Sequence, residues 1–420
     1  MEGILEHVRS DLLTQQSLSA ALAAIVLGIV VVVWYVWSSR NLKALWAIPL
    51  RVLVTGTRGK SSTVRLIHGA LLAGGIPTIG KMTGTSSREL DTLGNEYVTN
   101  RIGQVSVLEV LETVHRNLKR PGPTPEAVVL ECMAVSPELI ELLNSRIVKP
   151  TTVVITNALW DHLEEEGTSL KEIAISLSGA IPGANLVVTS EHREETRAVL
   201  AYETDLKGAV FDGVDGRSLP ARVLEMAPAA HPDNMAMALA VAESAGIDRD
   251  TALRGIAAAT VEPLPVEAAV LEMDRIRWTY RDIGSVNDTD SLTPALEGAT
   301  VQMPPGSFVF GMLVTRWDRP LRAIQFAASV TPDDVDGIII VGEPDVLVRF
   351  VARRSGWPHD RIVRISTWGF GQPPLFRLLA KRAERITGGR PTSIGIIAME
   401  NNHQYVADLV REKFLGGHVI

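Results

Sequence analysis

The sequence is poor in cysteine and has no excess of basic charge. Cys132 is the only cysteine among 420 residues, which excludes an internal disulfide framework and a zinc site built from several cysteines. The formal net charge of −7 argues against a broad nucleic-acid surface, because phosphate backbones are bound by clustered Lys and Arg. No internal repeat and no low-complexity tract is present. The 46% of hydrophobic residues are enough for about two or three ordinary packed domains.

Formal charge is also missing from residues 12–39, and the run from Leu18 to Trp37 is almost wholly apolar. About twenty helical residues rise about 30 Å, which is enough to cross a hydrocarbon core. A cleaved signal peptide is the alternative, but a basic start and a small-residue cleavage site are missing and the run ends in bulky aromatic residues. We therefore predict an N-terminal tail over 1–17 and an uncleaved transmembrane anchor over 18–38.

The charges on either side of the apolar run predict its orientation. Acidic residues predominate before it, whereas Arg40, Lys43 and Arg51 follow it. By the positive-inside rule, the C-terminal body then lies in the cytoplasm, and the protein is a single-pass protein of the cell membrane. Residues 39–49 are interpreted as a short tether between the anchor and this body.

Strand-like and helix-like segments alternate along the rest of the chain, which indicates an α/β fold with a mostly parallel sheet and helices on both faces. The predicted strands are 50–55, 127–132, 151–157, 185–189, 208–212, 307–313, 337–342, 361–365 and 393–399. Two prolines in "VEPLPVEAAV", residues 261–270, predict a domain boundary. We place a central domain over 50–265 and a smaller Rossmann-like α/β domain, with four strands, over 266–420.

The stretch "RVLVTGTRGKSSTVRLIHGALLAGG" has the order expected of a phosphate-binding loop: a β-branched strand, a glycine turn with lysine and serines, and a helix. The loop residues are Gly56, Thr57, Arg58, Gly59, Lys60, Ser61 and Ser62. Lys60 would contact the β- and γ-phosphates, and the Ser61 hydroxyl would bind Mg²⁺. A strict Walker A motif has a glycine where this sequence has Val54. The alternative is an ordinary glycine-rich turn between a strand and a helix.

Polar residues follow two later strands. Glu131 ends "AVVLE", and Asn157, Asp161 and His162 follow "TTVVIT". Ligands in open α/β sheets gather at the carboxyl ends of the strands, so these side chains are expected to face the phosphate loop. Oxygen ligands suit Mg²⁺, whereas a histidine ligand is unusual for it. Each residue also has a structural interpretation: Glu131 could pair with a lysine, and Asp161 could cap a helix.

Taken together, these motifs resemble the Mur ligase and folylpolyglutamate synthase superfamily. "TGTRGKSS", the strand-terminal glutamate and the N-x-x-x-D-H of "NALWDH" occur in its order and spacing. Within it, "GKMTGTSS", "ECMAVSPE", "ITNALWDHLEEEG" and "HPDNMAMALAVAESAGID" are most similar to the ligase subunit of capsular poly-γ-glutamate synthases. That subunit also begins with a hydrophobic segment. The likeness is good over about residues 50–300 and looser over the last hundred.

The resemblance implies an ATP- and Mg²⁺-dependent amide ligase. ATP would phosphorylate the γ-carboxyl at the end of a glutamate chain, and the amino group of the next glutamate would attack the acyl phosphate. It further implies integral-membrane partner subunits that export the chain. Relatives of this architecture can assemble into rings or multimers, so homo-oligomerisation is a further expectation.

The resemblance also implies roles for single residues. Lys60, Glu131, Asp161 and His162 would be catalytic, and Ser61, Thr85, Glu131 and His162 would bind metal, with Thr83 and Ser86 as further candidate hydroxyls. Asn234 would contact adenine, its alternative being a helix N-cap. Asp288 in "VNDTDS" would hold the ribose, and Arg316, with Arg319 a weaker candidate, would contact phosphate or ribose. No role is assigned to Asn401 and His403.

Two positions depart from the superfamily pattern. Leu177 stands where a carbamoylated lysine is common, so a bridging carbamate is not expected. "PLPVE" replaces a proline-glycine-arginine turn, so the acceptor would need another cation, with Arg88 and Arg101 as candidates. The competing interpretations are a soluble Mur-type or folylpolyglutamate-type ligase with another amino-acid substrate, and a P-loop ATPase that drives a membrane partner.

Overall fold

The computed structural model describes residues 2–83, 87–99, 106, 108–161, 163, 165–228, 230–259, 268–283, 286, 288–315, 320–342, 345–365 and 375–399. The helices are α1 Glu2–Trp46, α2 Lys60–Ala73, α3 Glu109–Lys119, α4 Pro137–Leu142, α5 Leu170–Leu177, α6 Glu194–Leu206, α7 Ala221–Leu224, α8 Pro232–Ser244, α9 Arg249–Ala258, α10 Thr289–Val301, α11 Pro320–Ser329, α12 Asp345–Arg354 and α13 Leu375–Thr387. A π-helical turn, Leu143–Val148, continues α4.

The strands form two sheets, as the sequence predicts. They are β1 Leu50–Thr55, β2 Thr78–Met82, β3 Arg88–Leu90, β4 Glu96–Val98, β5 Ala127–Glu131, β6 Thr152–Ile155, β7 Leu186–Thr189, β8 Val210–Gly213, β9 Ala268–Met273, β10 Ile276–Asp282, β11 Phe308–Thr315, β12 Gly337–Gly342, β13 Ile362–Ile365 and β14 Ser393–Met399. The mixed α/β class with mostly parallel sheets is therefore confirmed.

The central sheet has eight strands in the order β4-β3-β2-β5-β1-β6-β7-β8. All pairings are parallel except those of the short β2-β3-β4 meander. Both faces are covered: α2, α8 and α9 contribute to one apolar cluster, and α3, α4, α5 and the end of α1 contribute to the other. Burial on both faces explains why β1 reads as a continuous β-branched run rather than an alternating one. The carboxyl ends of β1, β5, β6 and β7 meet at one edge, which we call the carboxyl edge.

The second sheet has six strands in the order β13-β12-β11-β14-β10-β9, so the expectation of four strands was wrong. The two missed strands, β9 and β10, form an antiparallel hairpin. Its two-residue turn, Asp274 and Arg275, has φ values of 54° and 61°, which is the left-handed backbone of a tight hairpin turn. Such turns usually contain Asn or Gly, and the sequence therefore gave no hairpin signal. The predicted boundary at 265/266 lies outside the described residues.

Helix α1 does not end where the predicted anchor ends. Large apolar side chains from Leu22 to Val36 are exposed, and the apolar helix Leu22–Trp46 is long enough to span a membrane. Most of the predicted tether is helical as well: Asn41 and Leu45 are buried against the body, and the Trp46 indole donates a 2.8 Å hydrogen bond to the Ile147 carbonyl. Most of the segment interpreted as a short tether is therefore helical, and it contributes side chains to the core of the central domain.

Candidate active site

The phosphate loop joins β1 to α2 at the carboxyl edge. Gly56 and Gly59 have φ values of 118° and 81°, which side chains rarely adopt. A Cβ atom on Gly56 would lie 2.2 Å from Thr156 Oγ1, so the loop requires glycine there. The loop is held from β6 by Asn157, whose carbonyl accepts from Thr57 N–H and whose Oδ1 accepts from Arg58 N–H at 2.9 Å. Asn157 thus fixes the backbone that would bind phosphate.

Lys60 is the first residue of α2 and folds back over the loop. Its Nζ donates to the carbonyl oxygens of Gly56 at 2.5 Å and Thr57 at 3.2 Å. The ammonium group therefore lies within the curve of the loop, where backbone N–H groups and the start of a helix favour an anion. This is the place where the sequence predicts the β- and γ-phosphates of a nucleotide.

Glu131, the last residue of β5, lies beside the start of α2. Its Oε2 accepts hydrogen bonds from Ser61 Oγ at 2.8 Å and from Thr83 N–H at 2.7 Å. The side chain is buried, and its other oxygen, Oε1, accepts no hydrogen bond within the described ranges. Among the residues that the structure describes, no lysine pairs with Glu131, which was the structural alternative for it. A carboxylate and a hydroxyl from neighbouring strand ends are oxygen donors suited to Mg²⁺.

Asn234 lies on the other side of the phosphate loop. A Cβ atom on Gly59 would lie 2.6 Å from Asn234 Oδ1, so the amide packs directly against the loop. The alternative interpretation, a helix N-cap, is wrong: α8 is capped by His231, whose Nδ1 accepts from Asp233 N–H. The side chain of Asn234 is therefore not needed to cap α8, and it lies against Gly59 of the phosphate loop.

The second domain reaches the same edge through ion pairs. Arg58 Nε in the phosphate loop lies 2.8 Å from Asp288 Oδ2, and the other Asp288 oxygen caps α10 by accepting from Ser291 N–H. Arg193, after β7, pairs with Asp290 at 2.6 Å. Each Asp288 oxygen thus has one partner within the protein, Arg58 for Oδ2 and the Ser291 N–H for Oδ1.

Asp161 is the third point of contact between the domains. It forms an ion pair with Arg322 of α11, and both side chains are buried. The ion pair places Asp161 at the contact between the two domains, and its catalytic role remains a prediction. The sequence predicts that Asp161 follows a strand of the central sheet. Its pairing with Arg322 was not predicted, because Arg322 has no motif around it and the pairing depends on how the two domains pack.

Replacement of Arg322 with alanine is expected to destabilise the protein by about 3–5 kcal/mol, because it leaves the Asp161 carboxylate buried without its cation. The matched control is Asp290→Ala, which removes a half-exposed ion pair with Arg193 across the same domain boundary and is expected to cost about 1 kcal/mol or less. Chemical unfolding of the full chain in detergent measures both. Equal losses for the two variants would contradict the importance of the buried pair.

Glu166 is a further buried carboxyl at this edge, and the sequence analysis assigned it no role. Burial raises the pKa of Glu166 to about 8, the negative charges of Asp161 and Glu165 add to the rise, and the Lys60 ammonium opposes it. Glu166 is therefore largely protonated at neutral pH in the absence of a ligand. The repeated glutamates of "LEEEG" gave no indication of which one is buried.

The raised pKa of Glu166 predicts a pH dependence of stability. Between about 4.5 and about 8 the folded protein holds a proton that the unfolded chain releases, so the free energy of unfolding falls as pH rises, by at most about 1.4 kcal/mol per pH unit. Glu166→Gln is expected to remove this slope, and Glu165→Gln, at an exposed neighbour, to keep most of it. Urea unfolding at several pH values between about 5 and about 8 measures the slope of the unfolding free energy against pH for each protein. An unchanged slope in Glu166→Gln would contradict the raised pKa.

Several predicted site residues lie outside the described residues, and their places are not assigned. They are Thr85, Ser86, Arg101, His162, Arg316, Arg319, Asn401 and His403. Of the remaining candidates, Arg88 pairs with Glu96 at 3.0 Å. Leu177 is the last residue of α5 and is buried in an apolar cluster, so nothing at that position can bind a metal.

Comparison with known proteins agrees with this geometry. Residues 54–177 match the Mur ligase middle domain, and residues 270–413 match the poly-gamma-glutamate synthase CapB C-terminal domain. The chain is 32% identical over 351 residues to the capsule biosynthesis protein CapB of Bacillus anthracis, which covers 80% of this chain and 73% of that protein. It is 29% identical over 345 residues to the PGA synthase CapB of Bacillus subtilis, which covers 81% of this chain and 86% of that protein.

A solved structure shares the fold. The bifunctional folylpolyglutamate synthase/dihydrofolate synthase of Yersinia pestis, complexed with AMPPNP and a Mn ion, aligns with a TM-score of 0.52 at 14% identity, covering 86% of this chain and 89% of that chain. The predicted resemblance is confirmed by sequence and by fold. The chain belongs to the CapB family, and its central domain is a Mur ligase middle domain.

Proposed function

We infer that this protein is an ATP-dependent amide ligase that polymerises glutamate into poly-γ-glutamate. The observation that carries the inference is the meeting of Lys60, Ser61 and Glu131 at the carboxyl edge, with the second domain paired to the same phosphate loop through Asp288. A simple ATPase has no need of a second α/β domain at its phosphate loop. A ligase must bring a nucleotide, a carboxylate and an amine together, and two domains around one edge provide that space.

The reaction needs an activated carboxyl because a carboxylate is a poor electrophile with a poor leaving group. An oxygen of the chain-end γ-carboxylate attacks the γ-phosphorus of ATP, and the bond from that phosphorus to the bridging oxygen breaks, releasing ADP. The amino group of the incoming glutamate then attacks the acyl carbon, loses a proton, and expels inorganic phosphate. Lys60 would stabilise the negative charge on the transferring phosphoryl group, and the loop N–H groups would orient it.

We propose Mg²⁺ as the divalent ion at Ser61 and Glu131. The buried carboxylate has an oxygen, Oε1, that accepts no hydrogen bond from any described residue, and the neighbouring hydroxyl supplies a second oxygen donor. This donor set fits a hard cation that retains several waters. When bound there, the ion would neutralise charge on the nucleotide phosphates. Thr85 and His162 remain proposed further ligands, with Asn234, Asp288 and Arg316 as proposed nucleotide contacts.

We propose that α1 anchors the enzyme in the cell membrane with the catalytic body in the cytoplasm. The exposed apolar side chains from Leu22 to Val36 support a span, and the basic residues Arg40 and Lys43 that follow them support this orientation. A single span cannot move a polyanion across a bilayer, so export requires integral-membrane partner subunits. Assembly of several copies of the chain is a further proposal.

The function is tested with membranes that contain this chain and its partner subunits, supplied with ATP, Mg²⁺ and radiolabelled glutamate. The expected result is label in a protease-resistant polyanion, dependent on both ATP and Mg²⁺. Hydrolysis of ATP without polymer from either glutamate isomer would overturn the substrate assignment and favour an ATPase that drives a membrane partner. Incorporation of another labelled amino acid in the same assay, in place of glutamate, would show that the protein is a ligase with a different substrate.

A further inference from the structure

The anchor and the catalytic body are joined rigidly. Helix α1 runs without a break from its exposed apolar part into the part that packs on the central domain. At one end of the packed part, the Trp37 ring contacts the His115 ring of α3 edge-to-face at 5.7 Å; at the other, the Trp46 indole bonds the Ile147 carbonyl. A transmembrane segment attached in this way holds the body in one orientation relative to the bilayer.

Trp46 marks the amino edge of the central sheet, the edge opposite the phosphate loop. Its ring lies under the ammonium of Lys149, with Nζ 3.8 Å from the ring centroid. Arg51, the second residue of β1, donates a 2.8 Å hydrogen bond from Nε to the Lys149 carbonyl. The C-terminal end of α1 is therefore level with the start of the parallel strands.

Trp37 lies nearer the carboxyl edge. Its partner His115 is two residues along α3 from Thr113, whose hydroxyl donates to Glu89 at 2.8 Å. Glu89 pairs in register with Lys81, and Lys81 pairs with Leu130, the residue before Glu131. From Trp46 to Trp37, α1 therefore rises from the amino edge towards the carboxyl edge. The exposed part, from Leu22 to Val36, extends the same line by about 22 Å at 1.5 Å per residue.

We propose that the carboxyl edge, with the phosphate loop and Glu131, faces the bilayer surface rather than the cytoplasm. This inference rests on the proposed membrane anchor and adds the orientation of the site. The partner of this edge is the lipid surface. Growth at the chain end then takes place close to the membrane, and the polyanion is delivered directly to the side from which it must leave.

The orientation is tested with the full chain in lipid nanodiscs whose headgroups carry an energy-transfer acceptor. Donor dyes are placed singly at Glu126→Cys and Glu138→Cys, two exposed positions on either side of β5, which lie at the amino and carboxyl edges. The strand separates them by about 17 Å. The native Cys132 is only 3% exposed and burial raises its pKa to about 11, so the unsubstituted protein serves as the labelling blank.

Stronger transfer from position 138 than from position 126 is the expected result. Equal transfer from the two positions, or stronger transfer from 126, would overturn the proposed orientation. A third variant, Val30→Cys, carries a dye that is quenched by spin labels on the lipid acyl chains if the helix is inserted. Loss of that quenching would overturn the anchor itself, whereas quenching at 30 with the reverse order at 126 and 138 overturns the orientation alone. Polymer synthesis in the same nanodiscs with partner subunits reports the proposed function separately.

Discussion

Lys60→Ala is expected to lower polymer synthesis by about 10³-fold or more, the size of effect found when one cation that stabilises a transferring phosphoryl group is removed. The Lys60 ammonium lies within the phosphate loop and contacts only the loop carbonyls of Gly56 and Thr57 in the described part of the chain. Its removal should therefore leave the fold intact while it removes charge stabilisation from the transition state. Initial rates of glutamate incorporation measure the loss.

The control for this variant is Lys119→Ala, which removes an exposed lysine at the end of α3. It is expected to keep full activity. Thermal unfolding separates a catalytic from a structural effect: without nucleotide, Lys60→Ala should melt like the unsubstituted protein, whereas the stabilisation by MgATP, about 2.7 kcal/mol at a hundredfold excess over Kd, should be reduced. If Lys60→Ala loses less than about tenfold in activity, the proposed role of Lys60 is contradicted, because removal of a cation from the transferring phosphoryl group should cost far more.

Glu131→Gln is expected to lower activity by about 10²-fold or more and to raise the Mg²⁺ concentration needed for half-maximal rate by at least about tenfold. The amide has nearly the shape of the carboxylate, and its oxygen can still accept from Ser61 or Thr83. It lacks the negative charge that holds a divalent cation. The effect should therefore appear as a change in metal dependence rather than as a loss of folded protein.

Glu138→Gln is the matched control, because it makes the same chemical change at an exposed position a few residues later in the chain. It is expected to leave the Mg²⁺ dependence unchanged. Titrating Mg²⁺ at saturating ATP, and repeating the titration with Mn²⁺, compares the two variants directly. An unaltered metal requirement in Glu131→Gln would show that the ion is held elsewhere.

The sequence predicts the bounds of several parallel strands and the proximity of Ser61 to Glu131, because both depend on short, continuous stretches of sequence. The bounds of β1, β12 and β14 are confirmed residue for residue, since each is a short buried run of β-branched side chains between turn residues. Strands β1 and β5 are neighbours, so the loop that follows β1 lies close to the last residue of β5, and Ser61 contacts Glu131. Motif order alone was sufficient for this pair.

What the sequence did not predict depends on packing between distant elements. The strands β2, β3 and β4 have only five, three and three residues, so no alternating pattern develops. The ion pairs of Arg58 with Asp288 and of Arg322 with Asp161 join residues far apart in the chain, and only the docking of the second domain creates them. The same holds for the C-terminal end of α1, which was interpreted as a short tether and packs on the central domain.

The measurement that tests the central claim most directly follows oxygen from the substrate carboxyl. Oligo-γ-glutamate labelled with ¹⁸O in its terminal γ-carboxyl is elongated with ATP and unlabelled glutamate, and the released inorganic phosphate is analysed by mass spectrometry. Activation through an acyl phosphate predicts one ¹⁸O atom in the phosphate released by the first addition to each labelled chain end, because the bridging oxygen comes from the carboxylate. Later additions activate the unlabelled γ-carboxyl of the glutamate just added and release unlabelled phosphate. Elongation that releases only unlabelled phosphate, or that places the label in AMP, would contradict the assignment of the γ-phosphate of ATP to the chain-end γ-carboxyl.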